Sequence, residues 1–553
     1  MTKMMNKPTI LLILVLLGNL NLYAQQPNIL WLTCEDISPT LSMYGDSTAH
    51  TPNLDRLAAE SIVFTEAFAT VGVCAPSRSS MITGRYPVSI GTHQMRTGRD
   101  VYGWGSRKYS GDSGARDING ALIPHYSTVV PSDVKCFPEF LREAGYFCTN
   151  NAKTDVQFAV PVTAFDENSR DAHWRHRKKD QPFFAIFNHE VTHESKMWKH
   201  KDLPLTVNPE DVPLPDYYPD NEEIRKGVAR NYSNIELLDQ QIGEKIAELE
   251  AAGELDNTII FFFSDHGGPL PRGKREHYVS GLRVPLMVRL PKNLRSQRVD
   301  IPVSFVDLAP TVLAMAGIEK PGQFQGENFL KDGQPSVRRE FIFGTGDRFD
   351  EFADRIRSVI SKDFVYVRNY HPELSAYKDV GYRRNMDMMN ELYRLHEAGE
   401  LSADQAYWFR PTKTKEEFYV RSDDPHSLHN LIDDERYLGE IKRMRKALKR
   451  WQKEVKDMGK ISEKKVLAKM WPDGIQPMAA KPETITANGM VRLNCATKGA
   501  SIAYLISKKD FTPDLDAGWQ LYSSPVRLQA GEKLYAMGTR IGFADSEVLK
   551  VNR

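Results

Sequence analysis

No stretch of this 553-residue chain after its first two dozen residues is apolar enough and long enough to cross a bilayer, which argues against a helical membrane protein. An excess of one charge is missing too. Lysine and arginine number 73 against 72 acids, a net charge of +1, so the sequence has no basic footprint for nucleic acid. Long repeats and low-complexity tracts are absent, and cysteine is scarce: Cys34, Cys74, Cys136, Cys148 and Cys495 are the only five. In an exported protein that odd number leaves at least one thiol unpaired or modified, and it does not say whether Cys136 and Cys148 pair. Length and mixed composition are those of an ordinary globular protein with more than one domain.

The first 24 residues have the order of a secretory signal: Lys3 and Lys7, the apolar run Ile10 to Leu17, then Leu22-Tyr-Ala24 before Gln25. No cysteine follows the run to take a lipid, and the apolar core is short for a span. The expectation is a secreted or periplasmic protein without stable membrane insertion, with an uncleaved signal anchor as the alternative.

Beyond the signal, the run from Pro27 to Thr33 is apolar and ends in Cys34-Glu35-Asp36, which reads as a buried parallel strand delivering carboxylates at its C-terminal end. The pattern recurs where Phe183 to Phe187 runs into Asn188-His189 and His193, and where Thr258 to Phe263 runs into Ser264-Asp265-His266. Between them, Ile224, Val228, Tyr232, Ile235, Leu238, Ile242, Ile246 and Leu249 keep helical spacing. Strands alternating with helices predict an α/β sheet whose site lies outside the carboxyl ends of its strands. From about residue 337 the strands shorten (340–343, 355–360 and 364–368), predicting a smaller antiparallel sheet closed by a basic helix with Leu438, Ile441, Leu448, Trp451 and Val455. The cations of that helix read first as a solvated face, and as a glycan-binding patch second. Residues 475–553 read as a β-sandwich-like accessory module in which Tyr504 and Trp519 pack or stack on sugar. The expected division is 1–24 signal, 25–336 catalytic domain, 337–474 smaller subdomain and 475–553 module.

The most informative segment is Val71-Gly-Val-Cys74-Ala-Pro-Ser-Arg78-Ser-Ser-Met-Ile-Thr-Gly84-Arg85, a cysteine at a turn into a helix with an arginine four residues on. Backbone N–H groups at a helix start favour negative charge, and Arg78 adds a planar charged fork suited to a tetrahedral oxyanion. Taken alone, Cys74 could equally be a small buried hydrophobe.

The segment resembles the signature of the sulfatase family, cysteine-x-proline-serine-arginine followed by threonine-glycine-arginine, and the resemblance extends over roughly residues 27 to 457. It implies an alkaline-phosphatase-like α/β fold, a large central mixed sheet flanked by helices. It also implies oxidation of Cys74 to formylglycine by a maturation enzyme, and one calcium ion held by Glu35, Asp36, Asp265, His266 and the modified residue 74. Oxygen ligands suit a hard divalent cation, the nitrogen of His266 leaves other metals open, and glutamate at 35 departs from the family's aspartate. By the same resemblance Lys153 and Lys274 hold sulfate oxygens, Arg78 with the metal favours ionisation of the attacking hydroxyl, and His193 protonates the leaving group. Asp155 stands where the family has a histidine. Asp155, His93 and His189 are candidates for substrate contact, His189 equally for packing.

The implied chemistry is attack on sulfur by one hydroxyl of the hydrated aldehyde, followed by release of sulfate driven by the second hydroxyl. Pro269-Leu-Pro271-Arg-Gly273-Lys274, Asp424-Pro-His, and Asn430-Leu ahead of a helix with Lys449-Arg-Trp451-Gln452 resemble the N-sulfoglucosamine sulfohydrolases and neighbouring bacterial sulfatases. The expected substrate is a sulfated saccharide, from a glycosaminoglycan such as heparan sulfate or from a mucin-type glycan. Phosphodiester or phosphonate hydrolysis on the same superfold, and glycan binding without catalysis, are the other two readings. Arg348, Arg355, Arg357 and His371, with Tyr370 and Tyr382, are expected to lie mostly at the surface, with some near neighbouring acidic sugars.

Overall fold

The runs that are apolar on both faces lie side by side. In the computed structural model, which describes residues 26–291, 296–336, 339–487 and 489–552, the strand Asn28–Cys34 runs parallel between Phe183–His189 and Thr258–Ser264. Residues 1–24, expected to be a signal, lie outside the described residues. Alternation divides the central strand cleanly. Ile29 and Trp31 enter one core with Phe184, Phe261 and Phe263, while Leu30, Leu32 and Cys34 enter the opposite core with Phe183, Phe262 and the helix Glu222–Ala251. Asn221 caps that helix by accepting from the Ile224 N–H, and the predicted apolar stripe from Ile224 to Leu249 is buried.

Cys34 is in register with both His189 and Ser264, so the three strands stop at one level. That level places Glu35-Asp36, His189 and Asp265-His266 at one rim of the sheet. Farther out, Phe147–Asn151 is parallel to Phe183–His189, whereas Arg283–Arg289 runs antiparallel to both Thr258–Ser264 and Ser61–Phe68. The sheet is mixed and flanked by helices, as expected.

The smaller sheet is antiparallel: Ile342–Gly346, Ile356–Ile360, Phe364–Asn369 and Glu416–Val420, covered by the helix Leu438–Glu454. Ile441, Leu448 and Trp451 face it, while Leu438 is 56% exposed at the helix start and does not join the stripe. Two arginines read as surface residues are buried. Arg348 is clamped by Glu463 at 2.6 and 2.8 Å, and Arg357 lies between Asp347 and Asp457 at 2.8–3.1 Å. Bidentate carboxylates make a buried guanidinium tolerable, and two of those partners, Glu463 and Asp457, lie in segments distant in sequence.

The C-terminal strands form two small sheets. One face of the four-stranded sheet joins the main core, while its other face closes a separate cluster of Ile502, Leu534 and Ala536 with Val491 and Leu493 of the three-stranded sheet. Ala503, Leu505, Trp519, Tyr535 and Met537 belong to the same apolar cluster as Trp31 and Phe184, and Trp519 is 3% exposed, with its indole N–H donating to the Asp514 carbonyl at 2.7 Å. Trp519 is therefore a packing residue. Ser501 bonds Glu139 at 2.6 Å, and Arg142 donates to the Trp519 carbonyl at 2.8 Å. Each such apolar side chain contributes about 1.5–3 kcal/mol of burial. Truncation after residue 474 should therefore lower the thermal unfolding midpoint by roughly 10 °C or more, as read by scanning calorimetry. A midpoint unchanged from the full chain would show an independent appendage.

Candidate functional site

Val73 is extended (φ −145°, ψ 153°), and Cys74 is the first residue of the helix Cys74–Thr83, where backbone N–H groups have no intrahelical partner. Arg78, one turn later, shares its face. The entering chain lies flat on the segment that carries Lys274. A Cβ on Gly72 would sit 2.3 Å from the Glu276 carbonyl oxygen, and the Gly72 carbonyl accepts from the Arg275 N–H at 2.7 Å. Only glycine permits that approach.

Cys74 is fully buried amid charge. Its Sγ, standing where the matured residue would carry oxygen, lies 3.3 Å from Lys274 Nζ, 3.3 Å from His266 Nε2, 3.5 Å from Glu35 Oε2 and 4.0 Å from Asp36 Oδ1. Burial pushes the thiol up, and Lys153 and Lys274 offset only part of that rise, so at neutral pH the side chain is a thiol.

Three carboxylates surround it, each matched by a cation. Arg78 bonds Glu35, Asp265 (3.2 Å) and Asn188 (2.7 Å). Lys153 reaches Glu35 at 2.6 Å, and Lys274 straddles Asp36 at 2.7 and 2.9 Å. Burial alone would raise Glu35 and Asp36. Arg78 and Lys153 hold Glu35, and Lys274 and His266 hold Asp36, well below the usual carboxylate range. Asp265 is raised, first by burial and then by Glu35 beside it. Asp36 has φ 47°, a left-handed backbone that aspartate tolerates, as the chain turns from the strand end into the site.

The donor set fits a divalent cation. Ligand atoms of Asp36, Cys74, Asp265 and His266 lie within 4.8 Å of one another, as do those of Glu35, Asp36, Cys74 and His193. His266 Nδ1 is 2.9 Å from the Gly267 carbonyl, which turns Nε2 toward Asp36 Oδ1 at 3.1 Å. Glu35 differs from Asp36 and Asp265 in having one oxygen on Arg78 and the other on Lys153.

His193 receives the Ser195 backbone N–H at Nδ1 (3.2 Å), so the neutral ring carries its proton on Nε2, which lies 4.0 Å from Glu35. Burial and the neighbouring Lys274 lower its pKa well below the ordinary histidine value. The other candidates fall elsewhere. Asp155 bonds Arg96 at 3.0 Å and lies 3.6 Å from Lys153. His189 donates its Nδ1–H to the Thr33 carbonyl (3.0 Å) and is pushed down to about 4 by burial. His93 is 1% exposed with no partner for either ring nitrogen, and neither it nor His189 lines the cleft. All five cysteines are unpaired.

A cleft of about 730 Å³ opens above these groups, with Lys153, His193 and Lys274 in its lining. Arg99, Arg170, Lys196 and Lys199 also line it, and among the described residues none of the four has an acid partner. Tyr382, 44% exposed, lines it too. Sequence reading missed those four cations, and it missed Asn188 and Glu194. Asn188 accepts from Arg78. Glu194 is fully buried, donates its N–H to Asp36 (2.7 Å) and holds Arg275 at 2.8 and 2.9 Å. Their one signal was position, since Asn188 is the next-to-last residue of the strand Phe183–His189 and Glu194 lies five residues past its end.

Residues 27–318, more than half of the chain, match the family model described as sulfatase. The chain belongs to the sulfatase family. Residues 272–401 also match the model for the C-terminal region of N-sulphoglucosamine sulphohydrolase, so the enzyme is a sulfuric ester hydrolase, in line with the resemblance read from the sequence. An ulvan-active sulfatase of Formosa agariphila is 38% identical, with 96% of this chain and 91% of that protein aligned. Human N-sulphoglucosamine sulphohydrolase is 27% identical over 82% of this chain and 95% of its own length. A protein solved in complex with its substrate D-glucosamine-2-N,6-O-disulfate shares the fold at TM-score 0.52 and 18% identity, covering 78% of this sulfatase and 98% of that chain.

Proposed function

We propose that this sulfatase removes sulfate ester or N-sulfate groups from acidic sugars of a sulfated polysaccharide of the glycosaminoglycan type, using formylglycine at position 74 and one calcium ion. The observation that carries the substrate class is the set of unpaired cations in the cleft. Arg99, Arg170, Lys196 and Lys199 outnumber Glu190 and Glu351, the two acids of the lining without an ion pair among the described residues, and so favour negative groups beyond the one sulfate that Lys153 and Lys274 would hold. The relatives named for ulvan and for N-sulphoglucosamine support a saccharide.

Asp36, Asp265 and His266, with Glu35 beside them, would hold a calcium ion, which when bound would supply a Lewis acid for the charge that develops in the reaction. The matured residue 74 supplies a hydrated aldehyde with two hydroxyls, one to attack sulfur and one to drive sulfate release. The remaining roles belong to groups already in place. Arg78, fixed by Glu35, Asp265 and Asn188, orients the residue 74 oxygen from one turn away. Lys153 and Lys274 draw charge onto the sulfate oxygens. His193 presents its Nε2 proton to the bridging oxygen of the sugar. Asp155 keeps Arg96 and Lys153 in position from the place where other family members have histidine.

The same reading makes residues 1–24 a cleaved signal and the mature enzyme secreted or periplasmic. It keeps the division at 25–336, 337–474 and 475–553, and it requires a formylglycine-generating partner. The test is free sulfate released from a panel of N- and O-sulfated saccharides by protein shown by peptide mass to be matured at Cys74. Release from an acidic sulfated saccharide is expected. Turnover confined to phosphate diesters or phosphonates, or binding without release, would overturn the reading. Calcium has its own check: at a hundredfold excess over its dissociation constant it should stabilise chelator-treated protein by about 2.7 kcal/mol, and the Asp265→Asn variant should lose that shift.

A further inference from the structure

A second cavity, of about 580 Å³, lies between the smaller sheet and the helix Leu438–Glu454, and its lining shares no residue with that of the catalytic cleft. Six cations line it, Arg355, Arg368, Arg445, Lys449, Lys453 and Lys460, against two acids, Glu416 and Asp457. Both acids are engaged. Glu416 holds Arg445 at 2.8 Å and Arg368 at 3.1 Å, and Asp457 takes the buried Arg357 at 2.8 and 2.9 Å. Among the described residues, Lys449, Lys453 and Lys460 have no acid partner, and Arg355 has only Asp457 at 3.6 Å.

Two details mark this as more than a solvated face. Arg445, Lys449 and Lys453 follow one another at four-residue intervals on a single helix face, a like-charge row that weakens a helix unless something anionic lies against it. Arg355 is fixed in advance. Its guanidinium carbon stands 3.9 Å from the centroid of Tyr370, the Tyr370 hydroxyl donates to Gln452 at 2.9 Å, and Gln452 in turn donates to Asp457 at 2.8 Å. The Arg355 Nε is buried without a partner. An oriented, partly unsatisfied guanidinium beside three free ammonium groups suits carboxylate and sulfate oxygens.

We propose that this pocket is a second binding site for acidic polysaccharide, holding uronate or sulfate groups of the polymer remote from the sugar being desulfated. Nucleic acid fits it less well. The whole chain carries a charge of only +1, and Tyr370 is covered by Arg355, which removes the aromatic face that a base would need. The choice of polymer rests on the sulfatase reading, while the anion site does not.

The test uses full-length protein carrying Cys74→Ala, so that nothing turns over, with heparin as the probe, and compares it with the same protein carrying Lys449→Ala and Lys453→Ala. The added pair should weaken heparin binding at least fivefold and reduce its salt dependence, while Lys449→Arg with Lys453→Arg should restore most of the affinity. In the matured enzyme the alanine pair should raise KM for sulfated polymer about as much. It should leave kcat, and all constants for a sulfated monosaccharide, unchanged. Unaltered heparin affinity in the alanine pair would overturn the proposal, as would duplex DNA bound as tightly as heparin and weakened equally, or inorganic sulfate alone reproducing the affinity. If no saccharide were desulfated at all, the heparin measurement would still decide the site.

Discussion

Cys74→Ala protein should release no measurable sulfate, a loss of at least about 10⁴-fold, and Cys74→Ser protein should stop after one turnover with a sulfo group on residue 74. The environment around Cys74 is the reason. An unmodified thiol there is buried, raised above its ordinary pKa and so protonated at neutral pH, which makes it a poor nucleophile even beside Lys153 and Lys274. Unmatured protein should therefore be as inactive as the alanine variant. Serine places an oxygen at the same point, 3–4 Å from Lys274, His266 and Glu35, but it has one hydroxyl and nothing with which to expel sulfate. Intact mass and peptide mapping after incubation with substrate would read the trapped group. Multiple turnovers of sulfate by the serine variant, or by protein still carrying the thiol, would show that position 74 works without an aldehyde and would overturn the formylglycine mechanism.

Much of this site was legible because its residues hang on regular elements. Glu35, Asp36, Asp265 and His266 follow two buried strands whose apolar runs end abruptly, and parallel pairing in register brings those ends together. Arg78 follows Cys74 by one helical turn, a relation that spacing alone fixes. The cations of the cleft obey no such rule. Arg99, Arg170, Lys196 and Lys199 sit outside the strands, and nothing local to Arg99 says that it will line one cavity with Lys199. The burial of Arg348 and Arg357 was misread for a related reason. An arginine looks solvated until its carboxylates are known, and Glu463 and Asp457 lie at least a hundred residues away in sequence. The C-terminal strands were legible as strands, but their docking was not, since periodicity says which face is apolar and not which core it joins.

Removing the imidazole of His193 should cost kcat about 10²–10⁴-fold on a sugar sulfate and far less on an aryl sulfate. The contrast follows from what the ring holds. In the free protein burial beside Lys274 keeps the ring neutral, with Nε2 protonated and aimed at one point in the cleft. To act as an acid it must take a second proton at Nδ1, where Ser195 Oγ lies 2.9 Å away to accept it. The negative charge of a bound sulfate, opposing Lys274, favours that imidazolium. A sugar hydroxyl leaves badly as an alkoxide and needs that proton. A nitrophenolate leaves without it. His193→Ala should therefore lose most of its rate on saccharides while staying within roughly tenfold of the parent enzyme on 4-nitrophenyl sulfate. The thermal midpoint should change little, because the ring is partly exposed at the cleft and its loss strands no buried charge. Equal losses on both substrates would assign His193 to holding the sulfate and pass the leaving-group proton to Lys274, the other donor in the cleft lining that touches residue 74.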